Sequence, residues 1–432
     1  MKRAASYALG CKVNQYESEA IAELFQEKGY EIVGIDQPAD VYVINTCTVT
    51  NFGDKKSRQL IRKVKRQNET AVVAVVGCYA QTAPKEIMSV EGVNLVIGTK
   101  DRGQIVELVE AYNPQGGVEN HVTDIMKERI FEPLSIQKLA NRTRAYLKIQ
   151  DGCSQYCSYC IIPYARGPIR SRDPQDVLVE VRQLAKNGFQ EVVLAGIHVA
   201  SYGKDRKDTS LLEVLRLVHQ VEGIKRIRFS SIEPNVVTEE FAKAMAELWK
   251  VCHHFHLSLQ SGCDRTLKEM NRRYDTRKYR EAVMLLRKYL PDAAITTDII
   301  VGFPGETAVD FQESYAFAKE MAFAKIHVFP YSPKKGTPAA ERKDQIQNHV
   351  KTERSHSLLA LSEAMSKAFL EKYMGKTVEV LYEKSVEEGI YEGHTSNYMK
   401  VLTNSPEDLS NRLVFTKITD ITEEYALGEA IL

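Results

Sequence analysis

"DGCSQYCSYC", residues 151–160, places Cys153, Cys157 and Cys160 in one short segment, with three and then two residues between them and no fourth ligand nearby. It follows "RAYLKIQ" (144–150), the first of six β-rich runs. The others are "EVVLAG" (191–196), "KRIRFSS" (225–231), "HFHLSL" (254–259), "AITTDIIVG" (294–302) and "KIHVFPY" (325–331). Stretches with helical spacing, such as "PQDVLVEVRQLAKNG", fill most of the gaps. Six strand–helix repeats predict a partial (βα)6 barrel, whose active site lies at the carboxyl ends of the strands. The cysteine triplet follows the first of those ends, and polar or glycine-rich segments follow the rest: "GIHVASYG", "SIEP", "QSGC", "GFPGE" and "YSP".

Upstream, three further apolar runs alternate with helical stretches, and each is closed by a cysteine: "RAASYALGC" by Cys11, "DVYVINTC" by Cys47 and "AVVAVVGC" by Cys78. Alternation of this kind predicts an open parallel sheet, and in such a sheet all carboxyl ends lie on one edge. Three cysteines far apart in sequence are therefore predicted to converge. Downstream of Gly375, the short runs "KTVEVLYE", "GIYEGHT", "YMKVLT", "RLVFTKIT" and "ALGEAIL" are separated by polar turns. They predict a small five-stranded antiparallel β-barrel of oligonucleotide-binding type. The fold class is thus α/β with a terminal β-barrel. Its expected segments are 1–112, a linker at 113–138, a barrel at 139–372 and the β-domain at 373–432.

With 58 Lys plus Arg against 57 Asp plus Glu, the net charge is +1. A nucleic-acid partner must then be met by local patches. One such patch is the run Lys55, Lys56, Arg58, Arg62, Lys63, Lys65 and Arg66, in which Lys55, Arg58 and Arg62 share a helical face. No apolar window approaches a membrane span or a signal peptide, so a cytoplasmic protein without a membrane partner is expected. Eight cysteines in a reducing compartment point to metal ligation or catalysis rather than to disulfides.

Three thiolates suit two kinds of centre. A catalytic zinc keeps three protein ligands plus water. A cubic iron–sulfur cluster held by three cysteines leaves one iron open for an exogenous ligand. With no fourth ligand nearby, and His198 the only nearby imidazole on a strand end, the open iron accounts better for a set of three.

Cys-x3-Cys-x2-Cys after the first strand of a βα barrel, with Tyr159 before the last cysteine, resembles the signature of radical S-adenosylmethionine enzymes. Adding "LGCKVNQYESE", "INTCTVT" and "VVGCYAQ", the whole chain resembles the methylthiotransferase family. The resemblance implies two 4Fe-4S clusters, a radical one on Cys153, Cys157 and Cys160 and an auxiliary one on Cys11, Cys47 and Cys78. It also implies S-adenosyl-L-methionine as cofactor and an RNA-binding TRAM domain at the C-terminus. In that family one S-adenosylmethionine methylates a sulfur at the auxiliary cluster, and a second yields a 5'-deoxyadenosyl radical that abstracts hydrogen from the substrate.

"NTCTVTNFGDKKSRQ" and "SSIEP" resemble the branch that acts on carbon 2 of threonylcarbamoyladenosine beside the tRNA anticodon. The alternatives are the isopentenyladenosine tRNA enzymes, the enzymes modifying an aspartate of a ribosomal protein, and a non-catalytic, metal-stabilised RNA-binding protein. Expected partners are the tRNA anticodon stem-loop, an external one-electron donor and a sulfur donor of unknown kind, with the chain a monomer. The resemblance further points to Tyr159, Gly196, Ser258, Gln260 and Gly302 as cofactor contacts. Arg170 or Arg172 is expected to meet the substrate carboxylate, Glu233 the substrate or the methionyl amino group, and Lys55, Arg58 and Arg62 the RNA. His198 and His256 read first as core or surface histidines, and Cys252 and Cys263 as free thiols.

Overall fold

The computed structural model describes residues 1–136 and 143–432, so the expected boundary at 138/139 lies outside the described residues. The N-terminal sheet has six parallel strands: β1 (Arg3–Ala8), β2 (Glu31–Ile32), β3 (Val41–Thr46), β4 (Val72–Gly77), β5 (Leu95–Val96) and β6 (Glu119–Asn120). They lie in the order β2-β1-β3-β4-β5-β6. All six residues of β3 are buried, because helices cover both faces of the sheet. Tyr42 and Ile44 pack into one apolar layer, Val41 and Val43 into the other. The helices that matter for the site are α1 (Lys12–Glu27), α2 (Asn51–Gln67) and α3 (Cys78–Thr82), which start immediately or shortly after β1, β3 and β4.

The stretch expected to be a linker is structured where it is described. It supplies β6 at the sheet edge, and its Leu134 and Ile136 are buried against Tyr16 and Ala20 of α1.

The six barrel strands are β7 (Arg144–Asp151), β9 (Glu191–Gly196), β10 (Arg226–Phe229), β11 (His254–His256), β12 (Ala294–Val301) and β13 (Lys325–Pro330). A two-residue strand, β8 (Arg170–Ser171), pairs antiparallel with β7. The sheets β10-β9-β7-β8 and β11-β12-β13 are joined by parallel bridges between Ile227 and Val251 and between Ile232 and Leu257. Side chains alternate across each strand. Leu147, Leu194, Ile227, Phe255 and Ile299 pack into the shared core with the outer helices. Residues one step away, among them Lys148, Arg228, His256 and Asp298, face the lumen, which is polar.

The C-terminal strands β14 (Thr377–Glu387), β15 (Ile390–Thr395), β16 (Lys400–Asn404), β17 (Leu413–Ile421) and β18 (Ala426–Ala430) close into a barrel. Four of its five ladders are antiparallel and the fifth, β16 to β18, is parallel, which corrects the all-antiparallel expectation. The turn between β15 and β16 pushes Tyr398 (φ +68°) against the amino end of the larger barrel. Its ring stacks on His254 and His394, at 4.9 and 4.7 Å between centroids, and lies under the guanidinium groups of Arg144 and Arg228. Arg226 and Arg228 donate to the main-chain oxygens of His394 and Ser396.

Candidate active site

The parallel sheet brings Cys11, Cys47 and Cys78 to one edge. Gly10 (φ +99°) leads into Cys11, and a Cβ there would lie 2.7 Å from the Cys47 sulfur, so the close approach of the two loops requires glycine. Cys47 and Cys11 both act electrostatically on Cys78, and Cys11 on Cys47. Burial pushes Cys78 up to about 12 and also raises Cys47. The nearest counter-charge comes from another part of the chain. Arg166, fully buried and six residues after Cys160, donates from Nε to the Cys78 sulfur at 3.1 Å. Its other nitrogens reach Glu17 at 2.5 Å and Asn14 at 2.6 Å, and Asn14 lies 3.6 Å from the Cys11 sulfur.

Glu17 is the centre of a buried network. It forms an ion pair with Arg102 at 2.5 Å and accepts from Lys148 at 2.8 Å and from Arg166, and Lys148 also bonds Asp151 at 2.5 Å. Burial alone would raise Glu17, but the three cations hold it well below the usual carboxylate range. α1, the barrel's first strand and the loop after the cysteine triplet are thereby joined through charge.

The triplet loop is pinned by the segment 269–273. Ser158 donates to the main-chain oxygens of Met270 and Glu269, and Asn271 donates to that of Tyr156. Arg272 donates to the Cys157 sulfur at 3.1 Å and to Glu233 at 2.7 Å, and Glu233 lies 3.1 Å from His198 Nε2. Burial pushes Cys153 up to about 11 and Cys160 up to about 12, with the neighbouring thiols adding to the effect on both. Burial would also raise Glu233, yet His198 and Arg272 keep it below its usual range.

Both sets fit an iron–sulfur cluster by donor chemistry. Each offers three thiols brought close together, with a guanidinium donating to one sulfur. The nearest carboxylates, Glu17 and Glu233, are already engaged by cations. Metal binding to such thiols displaces their protons, and the guanidinium offsets the added negative charge.

Several expected contacts are placed elsewhere. Arg172 is buried and paired with Glu180 at 2.5 Å, with the Tyr16 hydroxyl 3.4 Å away, and Arg170 is buried, donates to Pro168 and lies 3.7 Å from Asp151. Neither is free to receive a substrate carboxylate, because each holds an internal charge. Gly302 and Gly305 are explained by protein contacts: a Cβ on Gly302 would meet Lys351 at 2.4 Å, and one on Gly305 would meet Arg342 and Asp344. Gly196 lies close against Gln150 and Val199.

Other expected residues lie at or beside the mouth. Tyr159 is half-buried against Phe303 and Tyr331, within electrostatic reach of Cys157 and Cys160. Ser258 and Gln260 have half-buried side chains at the end of β11, with Gln260 at φ +69°. Glu233 joins the triplet through Arg272. On α2, Lys55 and Arg62 are exposed, whereas Arg58 donates to the Tyr79 hydroxyl at 2.5 Å. His198 and His256 are half-buried, 3.1 Å from Glu233 and Asp298 respectively. Cys263 bonds Asp310 at 3.3 Å, and Cys252 is buried; neither joins either set.

Sequence reasoning missed Arg272, Asn14 and Glu17. A signal was present for Asn14 and Glu17, since they lie three and six residues after Cys11, one turn apart on the same side of α1. Nothing local marks Arg272.

Residues 147–318 match the model of the Radical SAM superfamily, and residues 3–98 match a family described as uncharacterized, UPF0004. The chain is 46% identical, over its whole length and 97% of the relative's, to threonylcarbamoyladenosine tRNA methylthiotransferase MtaB of Bacillus subtilis (strain 168). It is 39% identical, over 88% of the chain and 92% of the relative, to the protein of that name from Aquifex aeolicus (strain VF5). With tRNA-2-methylthio-N(6)-dimethylallyladenosine synthase of Clostridium novyi (strain NT) it shares 36% over 98% and 95%. Among solved structures, the radical S-adenosylmethionine methyltransferase TsrM from Kitasatospora setae has a similar fold, with a TM-score of 0.59 and 16% identity over 79% of this chain and 77% of that one. With both three-cysteine sets in place in the fold and relatives matched from end to end, the chain belongs to the radical S-adenosylmethionine methylthiotransferase family.

Proposed function

We propose that this protein transfers a methylthio group to carbon 2 of threonylcarbamoyladenosine next to the anticodon in tRNA, using two S-adenosylmethionine molecules per turnover. The observation that carries the reading is Arg166, which leaves the loop of one cysteine triplet and donates to a sulfur of the other. Two three-thiol sites linked by the segment that runs from Cys160 to Arg166 suit a reaction in which radical generation and sulfur delivery converge on one base. When bound, the clusters and S-adenosylmethionine supply the radical and the sulfur.

The chain's own residues hold and orient. Cys153, Cys157 and Cys160 would hold the radical cluster, and Cys11, Cys47 and Cys78 the auxiliary one. Glu233, held below its usual range by His198 and Arg272, would accept the methionyl amino group. Tyr159, Ser258 and Gln260 border the same opening and would orient the cofactor. The exposed aromatics Phe52, Tyr156 and Tyr164, close in sequence to cysteines of the two sets, offer stacking faces for splayed anticodon-loop bases. An external one-electron donor is required, and the chain would act in the cytoplasm as a monomer. No helix among the described residues is long and apolar enough to cross a membrane.

Mass spectrometry of nucleosides from tRNA of a deletion strain tests the reading. The 2-methylthio form of threonylcarbamoyladenosine should vanish and return on complementation. Loss of the 2-methylthio dimethylallyl nucleoside instead would move the assignment to the other tRNA branch.

A further inference from the structure

Among the described residues, several basic groups at the barrel's inner face are paired with carboxylates, and Lys12 is not. Arg144 and Arg228 face Glu191 at 3.3 and 2.8 Å, and His256 faces Asp298 at 3.1 Å. Lys12, the residue after Cys11, extends its ammonium to 5.9 Å from the centre of the Tyr146 ring. It is half-buried, and among the described residues no carboxylate lies within ion-pair distance of it. Arg144 and Arg228 repel it, and only the already committed Glu191 attracts it. His327 on β13 is exposed and stands within the electrostatic reach of Lys12 and of Asp298; its ring is 5.7 Å from that of His256, whose own carboxylate partner is Asp298.

Burying an ammonium among like charges is unfavourable, and no internal anion compensates it. An incoming anion would. The substrate proposed above carries one: threonine, joined to N6 through a carbamoyl group, ends in a free carboxylate close to the base edge that bears carbon 2. Because Lys12 follows Cys11 directly, that carboxylate would be held beside the sulfur-delivering set.

We propose that Lys12 and His327 form the anion-binding subsite for the carboxylate of the substrate's N6 side chain. The lumen then reads the charge that distinguishes threonylcarbamoyladenosine from a base with an apolar N6 group. This inference rests on the substrate reading above, and the experiment separates the two.

Dissociation constants of the anaerobically reconstituted holoenzyme are measured for three anticodon stem-loop RNAs. One carries threonylcarbamoyladenosine, one its primary carboxamide and one unmodified adenosine; iron content is measured alongside. The wild type should bind the carboxylate RNA about 10- to 100-fold tighter than the carboxamide RNA, the range for a charge-assisted hydrogen bond. Lys12→Met should abolish that difference by weakening only the carboxylate RNA, and Lys12→Arg should keep it. If the wild type prefers the carboxylate and Lys12→Met retains the full preference, the subsite is wrong while the substrate stands. If Lys12→Met loses iron, His327→Gln decides, since His327 is on β13 and is not adjacent in sequence to any cysteine of either set; an undiminished preference there overturns the subsite. A wild type that does not prefer threonylcarbamoyladenosine over adenosine overturns the substrate reading itself.

Discussion

Arg166 and Cys78 come from different domains, yet the guanidinium of one donates to the sulfur of the other at 3.1 Å. The same side chain neutralises Glu17 in the buried interior. Removing one partner from a buried charge network costs about 3 to 5 kcal/mol, because the remaining charge is left uncompensated. Arg166→Ala should therefore lower the thermal transition of the apo-protein, where no cluster contributes. Arg166→Lys should recover part of the loss, since a single ammonium cannot serve Cys78, Glu17 and Asn14 together. A melting curve for Arg166→Ala that overlays the wild type would refute the network's role.

The two thiol sets are separate in the fold, so their metal contents should be separable. Replacing Cys153, Cys157 and Cys160 together by alanine should leave about four irons per chain, and the corresponding replacement of Cys11, Cys47 and Cys78 should do the same. Iron analysis of reconstituted protein checks both. Complete loss of iron in either variant would mean that the sites load as a unit.

Acid stability should depend on Glu191. Burial raises it, but Arg228 and Arg144 more than offset that and hold it at about 2. A depressed carboxylate stabilises the fold above its unfolded value of about 4.3, and that stability is lost as pH falls from there towards about 2. The contribution is about 3 kcal/mol. Glu191→Gln should be less stable at neutral pH and should lose stability less steeply through that window. Melting temperatures across the pH range read this directly, and an unchanged slope would contradict it.

Lys55, Arg62 and Arg66 lie exposed along α2, beyond the Cys47 loop. If they neutralise tRNA phosphates, alanine at all three should weaken binding of every tRNA alike. It should also reduce the slope of log affinity against log salt by about one for each phosphate left without its cation. Discrimination between carboxylate-bearing and neutral bases should persist, unlike the effect expected of Lys12→Met.

Much of the architecture was legible because its signals are local. β-rich runs closed by cysteines marked the sheet edge, and six repeats marked the barrel. Chemistry that depends on long-range pairing was not. Arg172 looked free in "IRSR" because Glu180, its partner, becomes its neighbour only once a helix packs on β7. Arg272 reaches Cys157 from a segment more than a hundred residues away. Lys12 was hidden for a different reason: an unpaired cation is defined by what fails to approach it, and no sequence pattern records that.

The ring of Tyr398 closes the floor of a chamber whose walls belong to another domain. A truncation that removes residues 373–432 would therefore not yield a smaller enzyme that merely grips RNA poorly. It would open the lumen at its base, strip Arg226 and Arg228 of their main-chain acceptors and admit water toward the radical. Loss of turnover in such a truncation would report on sealing as much as on RNA affinity, and point substitutions on the outer face of the small barrel are the cleaner probe of its grip.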